Sequence, residues 1–374
     1  MSKKSIVLLA ALAVLAMPAF AGEYHSGQAN VCYDCHTMHY SMQHGFAGEP
    51  GPVPTTPQPG GFWLGPGGPY QFLLKMDVNQ LCLECHDGQT FAPDVLATDT
   101  NSGSTTQGRS AGALNEAGVV LPGYDEWKGH TLGSTDVPPG YNPTVANFPG
   151  TVYDPTVGLE CIHCHTQHGR PESYRNLGPR RDSSGNFIVD YVISTTNDPT
   201  KDVWINIASY TAGSGDPTTM APYYDNASTR YNRIDAVVGT TQTSNELDRM
   251  CAACHGDFHG GPGDAGIGGT LADPEAFIRH PTSGVVLGGL GGGHSNLARY
   301  VAATNKVKVY TLDYTGYTNT SPGCISCHKA HGNQNPFGLV FMSRTAGTIS
   351  EEGTGTDVEL GMRDLCGQCH VQGN

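Results

Sequence analysis

The chain has 374 residues; 38% are hydrophobic, 14% are charged, and 50 Gly with 25 Pro make up a fifth of it. Globular chains usually carry about 45–50% apolar and about 25% charged residues, so a coiled coil, a helical bundle and a doubly wound α/β enzyme are excluded. The formal charge of −14 argues against a nucleic-acid partner, because phosphate recognition needs clustered Lys and Arg.

Residues 1–21 read as an export signal. Lys3 and Lys4 form a basic start, Ser5 to Met17 is almost wholly apolar, and Ala19-Phe20-Ala21 supplies the small residues of a cleavage site. The apolar run is shorter than the ~20 residues that a membrane-spanning helix needs. Cleavage after Ala21 would leave one domain, 22–374, with 18 basic and 34 acidic residues and a charge of −16. Further along, residues 45–70, 259–269 and 284–293 are dense in Gly and Pro, while 100–112 and 211–219 are rich in Ser, Thr and Gly. These stretches read as loops. Strands are expected at Phe187 to Ile193 and Val307 to Leu312, and short helices at Ser244 to Met250 and Asp357 to Leu365. The expected fold class is mostly coil with short helices and few short strands. No segment supplies a sheet-based core.

All twelve cysteines lie in one pentapeptide, Cys-x-x-Cys-His, repeated six times. The pairs are Cys32/Cys35, Cys82/Cys85, Cys161/Cys164, Cys251/Cys254, Cys324/Cys327 and Cys366/Cys369; the histidines that follow are His36, His86, His165, His255, His328 and His370. This is the attachment motif of c-type haem. Two thiols one turn apart add to the two vinyl groups of one porphyrin, and the next residue sits under the iron as its proximal ligand. Six copies that use every cysteine leave no place for a disulfide framework or a zinc site. Six covalent haem c groups are expected, with the chain wrapped around them. The first cysteines are separated by 50, 79, 90, 73 and 42 residues, which is no fixed period.

Of 16 His, ten remain as second ligands, whereas the mature chain has only seven Met. Bis-histidine ligation is therefore expected at every iron. His39, His168 and His331 lie three residues after a proximal His, and His259 lies four after one. Three or four residues span at most ~10–14 Å, too little to pass around a porphyrin rim to the far side of the same iron. Each must serve a neighbouring haem, so this spacing implies a close-packed array. His130, His280 and His294 sit in loops far from any motif and are further distal candidates; His25 is held in reserve. His163, inside an attachment loop, and His44 read as ordinary surface residues.

The chain resembles the hexahaem extracellular cytochromes that polymerise into nanowires in metal-reducing bacteria. The matching stretches include His25-Ser-Gly, Cys32 to His39, Lys128-Gly-His130, Cys161 to Gly169, Arg230-Tyr-Asn-Arg233, Met250 to His259, Arg279-His-Pro281, Cys324 to His331 and Leu365 to His370. The resemblance implies six bis-histidine haems stacked in alternating parallel and T-shaped pairs. It also implies that His39 crosses the subunit boundary to ligate the haem of Cys324, Cys327 and His328 in the next protomer. Its implied partners are further copies of the chain, upstream outer-membrane or periplasmic cytochromes, and extracellular acceptors such as metal oxides. The residues alone leave open whether His39 serves its own chain or another.

Two other readings stand beside an electron conduit, in filament or monomeric form. A multihaem reductase needs an iron with an open position, often marked by Lys in place of the proximal His, yet all six motifs end in His. A purely structural surface protein has no use for six cofactors. No general acid, nucleophile or phosphate-binding loop is evident, so no catalytic residue is assigned.

Overall fold

The computed structural model describes residues 25, 32–36, 73–87, 95–96, 111–116, 129–141, 158–168, 174–178, 180–181, 187–189, 193–194, 203–205, 229–232, 246–252, 254–255, 280, 286–288, 295–302, 307–311, 317, 319–333, 335–345, 348–350 and 364–370. The expected export signal, His39, His44, His259 and His294 lie outside the described residues.

The helices are short and mostly run into a motif: α1 Cys32–Cys35, α2 Val78–His86, α3 Glu246–Ala252, α4 Leu297–Ala302 and α5 Cys324–Cys327. Residues 364–366 are helical as well. Helix α2 starts where Asp77 accepts the Asn79 N–H at 3.0 Å, a side-chain cap that satisfies a donor the first turn leaves open. The third motif uses a single 3₁₀ turn, Cys161–His163, in place of an α-helix. The fourth motif is divided by a helix end: α3 carries Cys251 and stops at Ala252, so Cys254 lies beyond it, in a turn.

The strands are two to four residues long: β1 Asn115–Glu116, β2 Thr131–Leu132, β3 Arg180–Arg181, β4 Phe187–Val189, β5 Ile193–Ser194, β6 Val203–Ile205, β7 Thr229–Asn232, β8 Tyr310–Thr311, β9 Ser343–Thr345 and β10 Thr348–Ser350. The strand expected over Phe187 to Ile193 is divided. Its first part, β4, pairs with β3, whereas Ile193 opens a different sheet of order β5-β6-β7-β8. That sheet is mixed, with parallel, antiparallel and parallel pairings in turn. The strand expected over Val307 to Leu312 shortens to β8.

Apolar packing is gathered in small clusters at the motifs. Leu96, Leu114 and Leu132 pack with Leu83 and Cys161. Leu287, Tyr300, Val307, Val309, Val340, Phe341 and Leu365 pack with Cys327 and Cys369. The segments cross closely at Gly112, Gly129 and Gly332, where Gly332 forms isolated bridges with the other two. A Cβ on Gly129 would stand 2.6 Å from the Gly332 Cα, so only glycine permits this approach.

Candidate haem-binding centre

The cysteine pairs are not all presented in one way. Cys32 and Cys35 share α1, Cys82 and Cys85 share α2, and Cys324 and Cys327 share α5. At the fourth motif the second cysteine, Cys254, lies in a turn just beyond the helix that holds Cys251. Its N–H reaches the Cys251 carbonyl, only three residues back, at 3.2 Å, and the His255 N–H shares that carbonyl at 2.9 Å. This tight closure holds Cys254 near Cys251 without a continuous α-helix. The third and sixth motifs close in the same way. Cys164 and His165 both donate to the Cys161 carbonyl, and Cys369 and His370 both donate to that of Cys366. Cys366 is exposed, whereas burial pushes the Cys85 and Cys369 thiols up to about 11.

The first, third and fifth motifs share one backbone frame. His36 bridges to Leu74, His165 to Leu177 and His328 to Leu339, each antiparallel. In each case the residue after that leucine donates its N–H to the second cysteine's carbonyl: Lys75 to Cys35 at 3.0 Å, Gly178 to Cys164 at 2.8 Å and Val340 to Cys327 at 2.9 Å. The residue before the leucine is left-handed in all three, with φ of 58° at Leu73, 52° at Asn176 and 64° at Gly338. The tight turn brings a carbonyl back onto the imidazole. His165 Nδ1–H donates to the Arg175 carbonyl at 2.9 Å and His328 Nδ1–H to that of Phe337 at 2.7 Å.

A carbonyl carries no proton, so the ring nitrogen facing it must be the donor. That fixes the tautomer and leaves the Nε2 lone pair available, the state a metal ligand requires. The same logic holds for His255 against Pro139 at 2.7 Å, His130 against Ala330 at 2.7 Å and His25 against Gln167 at 3.2 Å. Burial also disfavours protonation of several imidazoles. It holds His165 and His255 down to about 4 and His331 down to about 3, and it lowers His130 and His328. His163 is different: its Nδ1 accepts the Glu160 N–H at 2.9 Å, a local capping contact.

Five proximal histidines each face a second imidazole. The ring centroids are 6.2 Å apart for His36 and His168, 5.9 Å for His86 and His25, 6.2 Å for His165 and His331, 5.9 Å for His255 and His130, and 5.9 Å for His370 and His280. A metal about 2 Å from a nitrogen on either side, with the imidazole half-widths added, sets centroids about 6 Å apart. Among the described residues, no three His, Cys, Asp or Glu side chains converge on a metal-sized point. An ion between two imidazoles would thus need equatorial donors from elsewhere, and a porphyrin supplies four. The cysteine pairs beside each proximal His offer the thioether links. These residues fit haem c. Among the described residues, no imidazole faces His328.

A family model for a doubled CXXCH motif matches residues 65–91. The C-type cytochrome OmcS of Geobacter sulfurreducens is 26% identical over 386 residues, covering 88% of this chain and 83% of that protein. Over most of its length the chain resembles that C-type cytochrome. A cryo-electron microscopy structure of the OmcS nanowires from Geobacter sulfurreducens aligns with 92% of this chain and 95% of that one, at 18% identity and a TM-score of 0.40.

Within the chain, successive motifs touch in pairs. The second motif approaches the third at Cys82 and Cys161, and the fourth approaches the fifth at Cys251 and Cys324. Each pair is locked by a side chain that sequence reasoning missed. Asn79 Oδ1 accepts the Cys161 N–H at 3.0 Å, and Asp248 Oδ1 accepts the Cys324 N–H at 2.8 Å. Both stand three residues before the first cysteine of their own motif, Cys82 and Cys251. That shared offset is the signal that would have found them.

Proposed function

We propose that the chain is an extracellular electron conduit, carrying six bis-histidine haems in one continuous row that runs from each copy of the chain into the next. One observation carries this reading: the order of the imidazole pairs. The proximal His of the first motif faces the last His of the third, His168, and that of the third faces the last His of the fifth, His331. One further step from His328 passes the end of the chain's Cys-x-x-Cys-His-x-x-His segments and returns to the first of them in another copy, His39. The resemblance of the whole chain points to the same residue. The second, fourth and sixth motifs obey a companion rule, drawing on His25, His130 and His280 upstream of the preceding motif. Three two-haem units therefore follow one another, and a filament would continue the series.

Haem supplies a one-electron Fe(III)/Fe(II) couple when bound. The protein's own work is positional. Paired imidazoles would hold coordination unchanged between the two oxidation states, backbone carbonyls orient them, and thioethers from the twelve cysteines would prevent loss of cofactor outside the cell. With clusters as small as Leu96, Leu114 and Leu132, the porphyrins would supply the central apolar mass of a single domain, 22–374. OmcS is a C-type cytochrome and its nanowires are the subject of a solved structure. By that likeness, this chain would take electrons from outer-membrane or periplasmic cytochromes and deliver them to acceptors such as metal oxides.

A second reading, a multihaem reductase, draws on His328, which no imidazole faces among the described residues; an open iron there would bind small ligands. One experiment separates the two. His39→Ala should leave six haems attached, abolish long filaments and leave about one iron in six high-spin. Ordinary filaments with all irons low-spin would defeat the assignment of His39, and an exchangeable high-spin iron within intact unmutated filaments would favour the reductase.

A further inference from the structure

We propose that Asn79 and Asp248, which occupy one repeated position in two successive haem contacts, set those contacts at different reduction potentials: the carboxylate of Asp248 holds the haems of the fourth and fifth motifs below those of the second and third. This rests on the haem array argued above.

The two positions share their place in the motif and their contact with the next motif, and differ in charge. Each lies three residues before a first cysteine, on a helix that leads into a motif, α2 or α3. Each accepts the N–H of the next motif's first cysteine, at 3.0 Å for Asn79 and 2.8 Å for Asp248. Asn79 also donates from Nδ2 to the Leu159 carbonyl at 3.0 Å, so its orientation is fixed as a neutral amide. Asp248 is fully buried and its Oδ1 accepts a second hydrogen bond, from the Tyr310 hydroxyl at 3.2 Å. Both donors favour the ionised carboxylate, against the opposing effect of burial. The pocket is closely built: a Cβ on Gly323 would collide with the Tyr310 ring and stand 2.7 Å from Asp248 Oδ1.

A buried charge is screened far less than one in water. Reduction adds an electron to a haem, and a fixed negative charge beside it opposes that gain, so the potential falls. The field of Asp248 reaches both cysteines of the fifth motif. After burial and neighbouring cysteines, it is a further cause of the upward shift of the Cys324 and Cys327 thiols, the latter to about 12. Asparagine at the equivalent place exerts no such field. Carboxylates act on the second and third motifs too, Asp77 and Glu160 on Cys161 and Glu84 and Asp34 on Cys85, so Asp248 is the buried charge that the fourth and fifth motifs add to this background.

The test is spectroelectrochemical titration of the full, haem-loaded protein as Asp248→Asn and Asn79→Asp. Asparagine at 248 keeps an acceptor for Cys324 and Tyr310 while removing the charge. It should raise the low-potential end of the titration by about tenfold in the reduction equilibrium of one haem, about 59 mV for a one-electron couple. Asn79→Asp should move the curve the opposite way. Unchanged curves with six haems present would overturn the proposal, and so would displacement of both variants in one direction, which marks altered packing. If Asp248→Asn fails to mature, Asn79→Asp decides alone: a downward displacement supports the proposal and an undisplaced curve overturns it. Failure of the conduit reading itself is seen separately, in the unmutated protein, as fewer than six haems or an exchangeable high-spin iron in filaments.

Discussion

Replacing His331 by alanine should strip a ligand from a haem that its own motif does not carry. His331 faces His165, with ring centroids 6.2 Å apart, although it lies three residues after His328. The substitution spares the backbone around it. The residue 331 N–H still donates to the Ala111 carbonyl at 2.8 Å, and its own carbonyl still accepts from the His130 N–H at 2.9 Å. The neighbouring contact of His130 Nδ1–H with the Ala330 carbonyl, at 2.7 Å, is also untouched. The pair of His130 and His255 should therefore stay intact, and the loss should be confined to one iron. Truncating one partly buried side chain destabilises a protein by about 0.5–3 kcal/mol, which a chain stapled to its cofactors by thioethers should withstand. Among the described residues, five imidazole pairs serve the six motifs. Dispersed unmutated subunits should contain about one high-spin iron in six, that of His328. Dispersed His331→Ala subunits should contain two, and filaments of the variant one. Electron paramagnetic resonance counts them, and added imidazole should restore the low-spin signal by filling the vacated space. An unchanged spin count would refute the pairing of His331 with His165. Six low-spin irons in dispersed unmutated subunits would refute the inference that His328 takes its partner from another chain.

Other expectations are simpler to check. The intact mass of the mature protein should exceed the polypeptide by six haems, and replacing both cysteines of any one motif should remove one; a count of five in the unmutated protein would disprove the reading of one motif. Gly129→Ala would set its Cβ 2.5 Å from the His331 carbonyl oxygen and 2.6 Å from the Gly332 Cα. Overpacking of this kind costs about 1–3 kcal/mol, so a lowered melting temperature with altered spectra at two haems is expected, and an unaltered melt would show that the crossing has slack. Phe337 is 61% exposed, whereas Arg175, at the same place in the preceding unit, is partly covered. Phe337→Ser should keep six haems, since its backbone carbonyl holds His328, but should lower the yield of long filaments seen by electron microscopy; unchanged filament yield would remove Phe337 from the junction.

Chemical identity was legible in the chain without a fold. Cys-x-x-Cys-His is a local signal: its five residues must meet one porphyrin within a short span, and no distant residue is needed to recognise it. Even there the backbone had latitude, since Cys254 reaches its place from a turn and Cys85 from a helix. Composition carried the coarse architecture for a related reason, since so much Gly and Pro and so few aliphatic residues cannot sustain long helices or wide sheets. Local spacing also said that His168 and His331 must serve a haem other than their own. Which haem each serves is a question of long-range contact. His25 meets His86, and His130 meets His255, across stretches whose lengths follow no period. Only the tertiary structure reveals that the contacts repeat where the sequence spacing does not. The same holds for Asn79 and Asp248, whose side chains read as ordinary helix residues until the next motif's backbone is packed against them. The division of the strand expected over Phe187 to Ile193 belongs here as well. Apolar character marked the segment as extended, but the partners β3 and β6 decided where each strand begins and ends. Covalent chemistry and backbone preference are written residue by residue; pairing across space is written only in the folded chain.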